Sequence, residues 1–215
     1  MLAAEQANQR RVIKTVQKKN FLKLGRFEAS PRSASSRTTL PQPHILSGSV
    51  GYHITEIFAV EAALGFAPDL GEGDWKPITK QLVEENHVSP DISKMTFIGN
   101  VTFQFSPIYG KVALNSRNII NFDIYGAFGM GATRTVDDLN ALQALNDPIA
   151  LATQVQTHPT TTFGGGARVI FNEWFAVRVD GRSLVYIETV NSTTLEMKNN
   201  FILSGGASFF FPNMP

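Results

Sequence analysis

The chain of 215 residues contains no cysteine. Disulfide-stapled folds, thiol nucleophiles and Cys-ligated zinc or iron–sulfur centres are therefore excluded. Charged residues are scarce as well, at 17% of the chain, whereas a typical soluble domain has about 25%. The 19 basic and 18 acidic side chains nearly cancel, so the composition indicates no basic surface for binding nucleic acid.

Long hydrophobic runs are also missing. No uncharged apolar segment reaches the length of about 18 residues that a transmembrane helix needs, so no such helix is predicted. The first five residues lack the cationic and apolar regions of a signal peptide. The sequence is therefore that of a cytoplasmic protein or of a mature, processed form, and the strand pattern below favours the mature form.

What the chain does have is repeated alternation of apolar and polar residues, the period of a β-strand. In residues 58–66, for example, Phe58, Leu64 and Phe66 alternate with small or charged residues such as Glu61. Runs of this kind predict eight strands. They cover residues 26–35, 44–54, 58–66, 95–105, 120–130, 163–171, 175–187 and 201–211.

The predicted connections differ in length along the chain. Residues 53–57 and 172–174 are short, residues 107–118 are intermediate, and residues 68–94 and 134–160 are long. In an up-and-down meander this order places the long connections at one end and the short ones at the other. Such asymmetry is typical of outer-membrane barrels, which have short periplasmic turns and long external loops. Within the second long connection, residues 136–155 are predicted to hold a short helix.

The two faces of the strands indicate what surrounds them. The polar face is crowded with Gly, Ala, Ser, Thr and Asn, as the narrow interior of an eight-stranded barrel requires. Its charges are few and balanced in sign, and we predict that they pair inside the barrel. The predicted interior cluster consists of Glu61, Asp123, Arg168, Arg178, Asp180, Arg182 and Glu188.

The Phe-rich apolar face is predicted to contact lipid, with Tyr52, Tyr109, Trp174 and Phe175 in an aromatic girdle near the short turns. The alternative is a soluble, lipocalin-like barrel with an apolar pocket. Its water-exposed surface would then be the Gly/Ala/Thr face, which is poorly suited to water.

The predicted fold is therefore all-β, an eight-stranded antiparallel up-and-down transmembrane β-barrel with short periplasmic turns and long external loops. We assign residues 25–212 to the barrel, residues 1–24 to a periplasmic N-terminal segment and residues 213–215 to a C-terminal tail. Both termini are expected in the periplasm.

Several segments resemble a known family. They are Gly25-Arg26-Phe27-Glu28, residues 47–56 and 58–61, Pro107-Ile108-Tyr109-Gly110-Lys111, residues 121–126, Gly164-Gly165-Gly166 and Trp174-Phe175-Ala176-Val177-Arg178. In order and spacing, over most of residues 12–212, they look like the myxobacterial-type outer-membrane β-barrel family, whose members include barrels associated with gliding motility. The resemblance implies a bacterial outer-membrane location and protein partners, and it implies no reaction.

The sequence offers little for catalysis. None of His44, His53, His87 and His158 lies two or four residues from another histidine, so no metal site is predicted. The triple glycine at 164–166 is followed by neither a lysine nor a predicted helix, which argues against a phosphate loop. Glycines there are better explained by the close approach of an internal side chain. We predict no catalytic residue and no cofactor.

The predicted function is that of a non-enzymatic anchor or interaction component in an envelope-spanning complex, with lipid and other envelope proteins as partners. One candidate contact surface is the basic N-terminal segment with Arg10, Arg11, Lys14, Lys18, Lys19 and Lys23. The other is the pair of long loops. The alternative is a narrow channel, in which the interior charges would line a pore. A lipid hydrolase is the weakest possibility, and its candidate residues are Ser47 and Ser49 near His44.

Overall fold

The computed structural model describes residues 21–36, 44–67, 93–114, 118–137, 155–190 and 194–212. The eight strands are β1 (Phe27–Ser36), β2 (His44–His53), β3 (Phe58–Phe66), β4 (Ser93–Leu114), β5 (Asn118–Asp137), β6 (Val155–Ile170), β7 (Phe175–Val190) and β8 (Thr194–Phe211). Each pairs antiparallel with its neighbour in sequence, and β1 pairs with β8 to close the barrel. The predicted fold is confirmed. No helix in the described part of the chain is long and apolar enough to cross a membrane.

Strand β3 shows how alternation separates the two faces of the barrel wall. Phe58, Leu64 and Phe66 point outward and are 50%, 61% and 55% exposed, whereas Ala59 and Glu61 point inward and are 4% and 1% exposed. The same alternation runs through the other strands. A continuous apolar outer surface of this kind is what lipid requires and what water penalises.

Aromatic side chains gather at one end of the barrel, where residues 54–57, 115–117 and 171–174 connect the strands. The rings of Phe27 and Tyr52 lie 4.9 Å apart, and Trp174 stacks on Phe209 at 6.2 Å. Aromatic girdles mark the membrane–water interface. With short connections periplasmic, this is the periplasmic end, and the opposite end is external.

Five of the eight strands, β4 to β8, extend further than predicted. Residues 107–114 are not a connection but the end of β4, which pairs with β5 up to Leu114↔Asn118. The pairing skips a step between Phe105 and Ile108. Pro107, which lacks an N–H to donate, lies in this interruption and conceals the alternation.

The second long connection is also shorter than predicted. Val136 and Val155, the ends of the predicted helix, pair with each other across β5 and β6, and residues 138–154 lie outside the described residues. The other external connections are residues 37–43 and 191–193, so the difference in length between the two ends depends on residues 67–92 and 138–154.

Alternation over the predicted strand of residues 95–105 predicts that Met95 shares the outer face with Phe97, and this prediction is wrong. Met95 is only 2% exposed and lies inside the barrel, because the β4–β5 register shifts between these two residues. It joins an apolar cluster in the external half of the interior, formed by Ala34, Ile45, Met95, Ile98, Leu184 and Ile202.

The lipid-facing surface is tested by placing a charge on it. Val101 and Val179 are 51% and 52% exposed on the outer face. Val179 lies four residues from the periplasmic end of β7, and Val101 pairs with Ala62, which lies four residues from the periplasmic end of β3. A membrane-spanning strand has about ten residues, so both are near the bilayer midplane. Val101→Arg and Val179→Arg should each lower the free energy of unfolding by about 2–4 kcal/mol, measured by urea unfolding in lipid vesicles. Asn172→Arg, in an exposed turn, is the matched control and should be nearly neutral. Equal effects at all three positions would contradict a lipid-facing surface.

Candidate functional site

The interior of the barrel is filled by a network of ion pairs centred on Arg178. Its guanidinium donates to Glu28 Oε1 at 3.1 Å, to Glu61 Oε2 at 2.7 Å and to both oxygens of Asp180, at 3.0 and 2.9 Å. A fifth bond, of 2.6 Å, reaches the hydroxyl of Tyr125. Arg178 is fully buried, and these contacts use its donors in the geometry that suits guanidinium–carboxylate recognition.

Arg168 extends the network toward the periplasmic end. It donates to Asp123 Oδ1 at 3.0 Å and forms a short ion pair with Glu28. Its guanidinium carbon lies 4.5 Å from the centre of the Tyr125 ring, a cation–π contact. One aromatic ring thus supports both central arginines, since Arg178 lies 5.3 Å from the same ring.

Arg32 and Arg182 extend the network toward the external end. Both donate to the same oxygen, Glu61 Oε1, at 3.3 and 2.6 Å. Arg32 also donates to Asp180 Oδ2 at 3.1 Å. Two guanidinium groups from β1 and β7, the strands on either side of β8, therefore meet on one carboxylate.

Neutral side chains complete the coordination of the carboxylates. Ser208 donates to Glu28 Oε1 at 2.7 Å, and His53 Nε2 lies 3.0 Å from Glu28 Oε2. Gln104 donates to Glu61 Oε2 at 2.9 Å. Burying an ion pair does not in itself stabilise the fold. Removing one partner, however, leaves the other charge buried and unpaired, which is strongly destabilising.

Room for this network comes from Gly166. The Tyr125 hydroxyl donates a short hydrogen bond to Asp180 beside it. A Cβ on Gly166 would lie 2.7 Å from that hydroxyl, 2.8 Å from Asp180 Oδ1 and 2.4 Å from the Val179 carbonyl. The triple glycine therefore leaves room for an internal side chain, as the sequence predicted.

The N-terminal stretch closes the periplasmic mouth. Phe21 is 1% exposed and packs edge-on against Phe210, with ring centres 5.0 Å apart. Arg26 lies over both rings and donates to the carbonyls of Glu173 at 2.6 Å and Pro212 at 2.8 Å. The mouth is thus covered by protein contacts rather than left open.

Lys23 was predicted to contact a partner, and for this residue the prediction is wrong. Its ammonium points into the barrel, where Nζ lies 2.6 Å from Asp123 Oδ2, and the residue is only 1% exposed. Burial lowers the pKa of this ammonium, and the adjacent Asp123 carboxylate opposes that shift. The backbone N–H groups of Lys23 and Leu24 both donate to Glu56 Oε1, which fixes the chain here. The other five basic residues of the predicted surface precede Phe21 and lie outside the described residues.

Six of the seven predicted interior residues belong to the central network, and the seventh does not. Glu188 is buried but lies further toward the external end, where it pairs with Lys198 and accepts a hydrogen bond of 2.8 Å from Thr135. His158 Nε2 lies 3.6 Å from the same carboxylate. Glu188 is thus in the interior, but Leu184 and Tyr186 lie between it and Arg182 on the inward face of β7, and it pairs with Lys198 rather than with an arginine.

Some members of the network were not in the predicted interior cluster, chiefly Glu28 and Arg32 on β1. Both lie in the inward register of that strand, at 3% and 6% exposure. The sequence signal for their inward position is that Glu28, Ser30, Arg32 and Ala34 are spaced two residues apart. This signal is weak because Pro31 and small residues occupy much of the opposite face. Alternation over residues 95–105 and 120–130 predicts Gln104 and Tyr125 on the polar, inward face, where they lie, but neither was in the predicted charge cluster.

The arrangement is suited to filling space and holding charge. Every central carboxylate is bound by a cation, so none is free to act as a base toward a substrate. Among the described residues, no group of three or more His, Asp or Glu side chains is placed to hold a metal ion.

The sequence profile of the outer membrane protein beta-barrel domain matches residues 22–209. The chain belongs to this family. This outer membrane protein beta-barrel domain therefore lies in the bacterial outer membrane. The match is to the general family of outer-membrane barrels rather than to the myxobacterial type. No curated protein matches the sequence.

Solved structures share the architecture of this outer membrane protein beta-barrel domain. The N-terminal β-barrel domain of Pseudomonas aeruginosa OprF has a TM-score of 0.51 at 11% identity, covering 87% of this chain and 98% of that one. Neisserial surface protein A has a TM-score of 0.45 at 11% identity, covering 86% and 95%. Ail of Yersinia pestis has a TM-score of 0.41 at 7% identity, covering 87% and 99%. At such identities the OprF likeness shows the fold alone.

Removing the central arginine should destabilise the barrel strongly. Arg178→Met leaves Glu28, Glu61 and Asp180 without their shared cation, and we expect a loss of about 3–5 kcal/mol in the free energy of unfolding. The measurement is urea unfolding in lipid vesicles, followed by tryptophan fluorescence. Arg134→Met removes the same charge from an exposed position on β5 and should change the stability little. If both variants were equally stable, the network would be hydrated rather than dry.

Proposed function

We propose that this barrel is a non-enzymatic anchor or interaction component of an envelope-spanning complex. The observation that carries the proposal is the filled and covered interior. Arg168, Arg178, Asp123 and Asp180 are all 0% exposed, and the Phe21–Phe210 contact covers the periplasmic mouth. The surfaces that remain available to a partner are the lipid-facing surface and the two ends of the barrel.

The position of Phe21 favours the N-terminal segment as the contact surface. Because Phe21 and Lys23 are fixed at the periplasmic mouth, residues 1–20 join the barrel on the side where periplasmic components can reach them. Arg10, Arg11, Lys14, Lys18 and Lys19 give this segment a positive charge, suited to an acidic protein surface. Insertion of a barrel requires no such extension.

Motility machinery of the gliding type is one complex of this kind. Its support is the sequence resemblance to the myxobacterial-type barrels, and the general family match neither adds to it nor contradicts it. The narrow channel is the competing function, and no feature of the described interior favours it.

Conductance separates the anchor from the channel. The purified full-length barrel in a planar bilayer should show no regular single-channel steps, because an eight-stranded lumen holds only side chains and these are ion-paired. Steps of uniform size would contradict the anchor proposal and support the channel.

The N-terminal contact is tested by deletion. Removal of residues 1–20 should leave the barrel folded, as shown by its heat-resistant migration on gels, while the protein that co-purifies with the full-length chain in mild detergent is lost. The reason is that the covering contacts begin at Phe21, whereas the proposed partner surface lies before it.

Two variants serve as controls for the deletion. Replacing Arg10, Arg11, Lys14, Lys18 and Lys19 by Gln keeps the length and removes the charge, and it should also release the partner. Shortening the external loop within residues 70–90 should leave the partner bound. Retention after the N-terminal deletion, with loss after the loop change, would assign the contact to the external loops.

A further inference from the structure

A cavity of about 50 Å³ lies inside the barrel, directly external to the charge network. Arg32 and Arg182 line it on the side of the network, and most of the remaining lining is apolar, including Ile45, Ile98, Leu184 and Ile202. The polar side chains of Ser47, Asn100 and Ser204 also line it. The cavity therefore combines two cations with a largely apolar lining. Neither the anchor function nor the ion-pair network accounts for this combination.

Both arginines keep an unused donor. Arg32 Nε and Arg182 Nε are buried and have no hydrogen-bond partner among the described residues. Their terminal nitrogens converge on one oxygen, Glu61 Oε1, so the two guanidinium groups are neighbours. A buried donor without a partner costs free energy. Here two such donors belong to adjacent arginines that line one cavity, so an acceptor placed between them would satisfy both.

The charge of the network points to the sign of that acceptor. Its connected, buried Lys, Arg, Asp and Glu side chains comprise five cations and four carboxylates. The cations are Lys23, Arg32, Arg168, Arg178 and Arg182, and the carboxylates are Glu28, Glu61, Asp123 and Asp180. One positive charge is left unbalanced in a site shielded from water, where an unpaired charge is expensive. A single negative charge would balance it.

The size of the cavity limits the ligand. A water molecule needs about 10–15 Å³ on this measure, so the cavity holds about three to five atoms the size of oxygen or carbon. Acetate and propionate have four and five non-hydrogen atoms. We propose that the cavity binds a short-chain monocarboxylate, with its carboxylate between Arg32 Nε and Arg182 Nε and its alkyl end against Ile98 and Ile202.

The test is a calorimetric titration of the full-length barrel, refolded in a zwitterionic detergent, with sodium propionate. We expect saturable binding of one propionate per barrel. Propanol and propylammonium, which match its size without the negative charge, should give no saturation. If propionate itself does not saturate, or if propanol binds equally well, the proposal is overturned.

A pair of variants on β3 locates the site. Ala63 is 8% exposed and lines the cavity, whereas its neighbour Ala62 faces lipid. Ala63→Leu should fill the cavity and abolish propionate binding, and Ala62→Leu should leave it unchanged. Heat-resistant migration on gels verifies that both variants fold. Binding that survives Ala63→Leu would place the carboxylate elsewhere and refute the assignment.

Arg182→Lys tests the chemistry of the site without removing the charge. The lysine can still pair with Glu61 but lacks the Nε–H, so propionate should bind about tenfold more weakly, the factor expected for one charge-assisted hydrogen bond. Unchanged affinity would show that Nε does not hold the carboxylate.

Discussion

The structure depends on one constraint, that a barrel of eight strands in lipid has an interior too narrow for bulk water. Polar groups inside it must therefore satisfy one another, and the Arg178 guanidinium does this for three carboxylates from three different strands, β1, β3 and β7. The contacts span the lumen rather than follow the wall. The network thus ties together strands that share no backbone pairing, such as β3 and β7.

The choice of small residues follows from the same constraint. Gly166 has no side chain, and the space this leaves is occupied by Tyr125 and Asp180. The Tyr125 ring in turn contacts both Arg168 and Arg178. Large internal side chains on one strand therefore require glycine on the adjacent strand. Such reciprocal packing makes the interior a core, although most of its members are polar.

Much of this was predictable from the sequence because alternation is a strong local signal. β3 was located at its true ends, Phe58 and Phe66, since every second residue there is apolar and no proline interrupts it. The predictions failed where the register shifts, at Met95 and Pro107, because a bulge depends on the partner strand and leaves no local signature. The central charges were assigned to the interior, but Lys23 and Glu188 were not given their partners. Those pairings depend on the stagger of the strands and on the path of residues 21–26, neither of which is encoded locally.

The covering of the periplasmic mouth joins the two ends of the chain. Phe21 precedes β1, whereas Phe210 is in β8, and Arg26 binds carbonyls of Glu173, Phe210 and Pro212. Those acceptors are assembled only once the last strand has paired with the first, across almost the whole sequence. Contacts this distant in sequence form late in folding. The N-terminal stretch can therefore take its native position only on a completed barrel, and any component that recognises that position would distinguish finished barrels from unfinished ones.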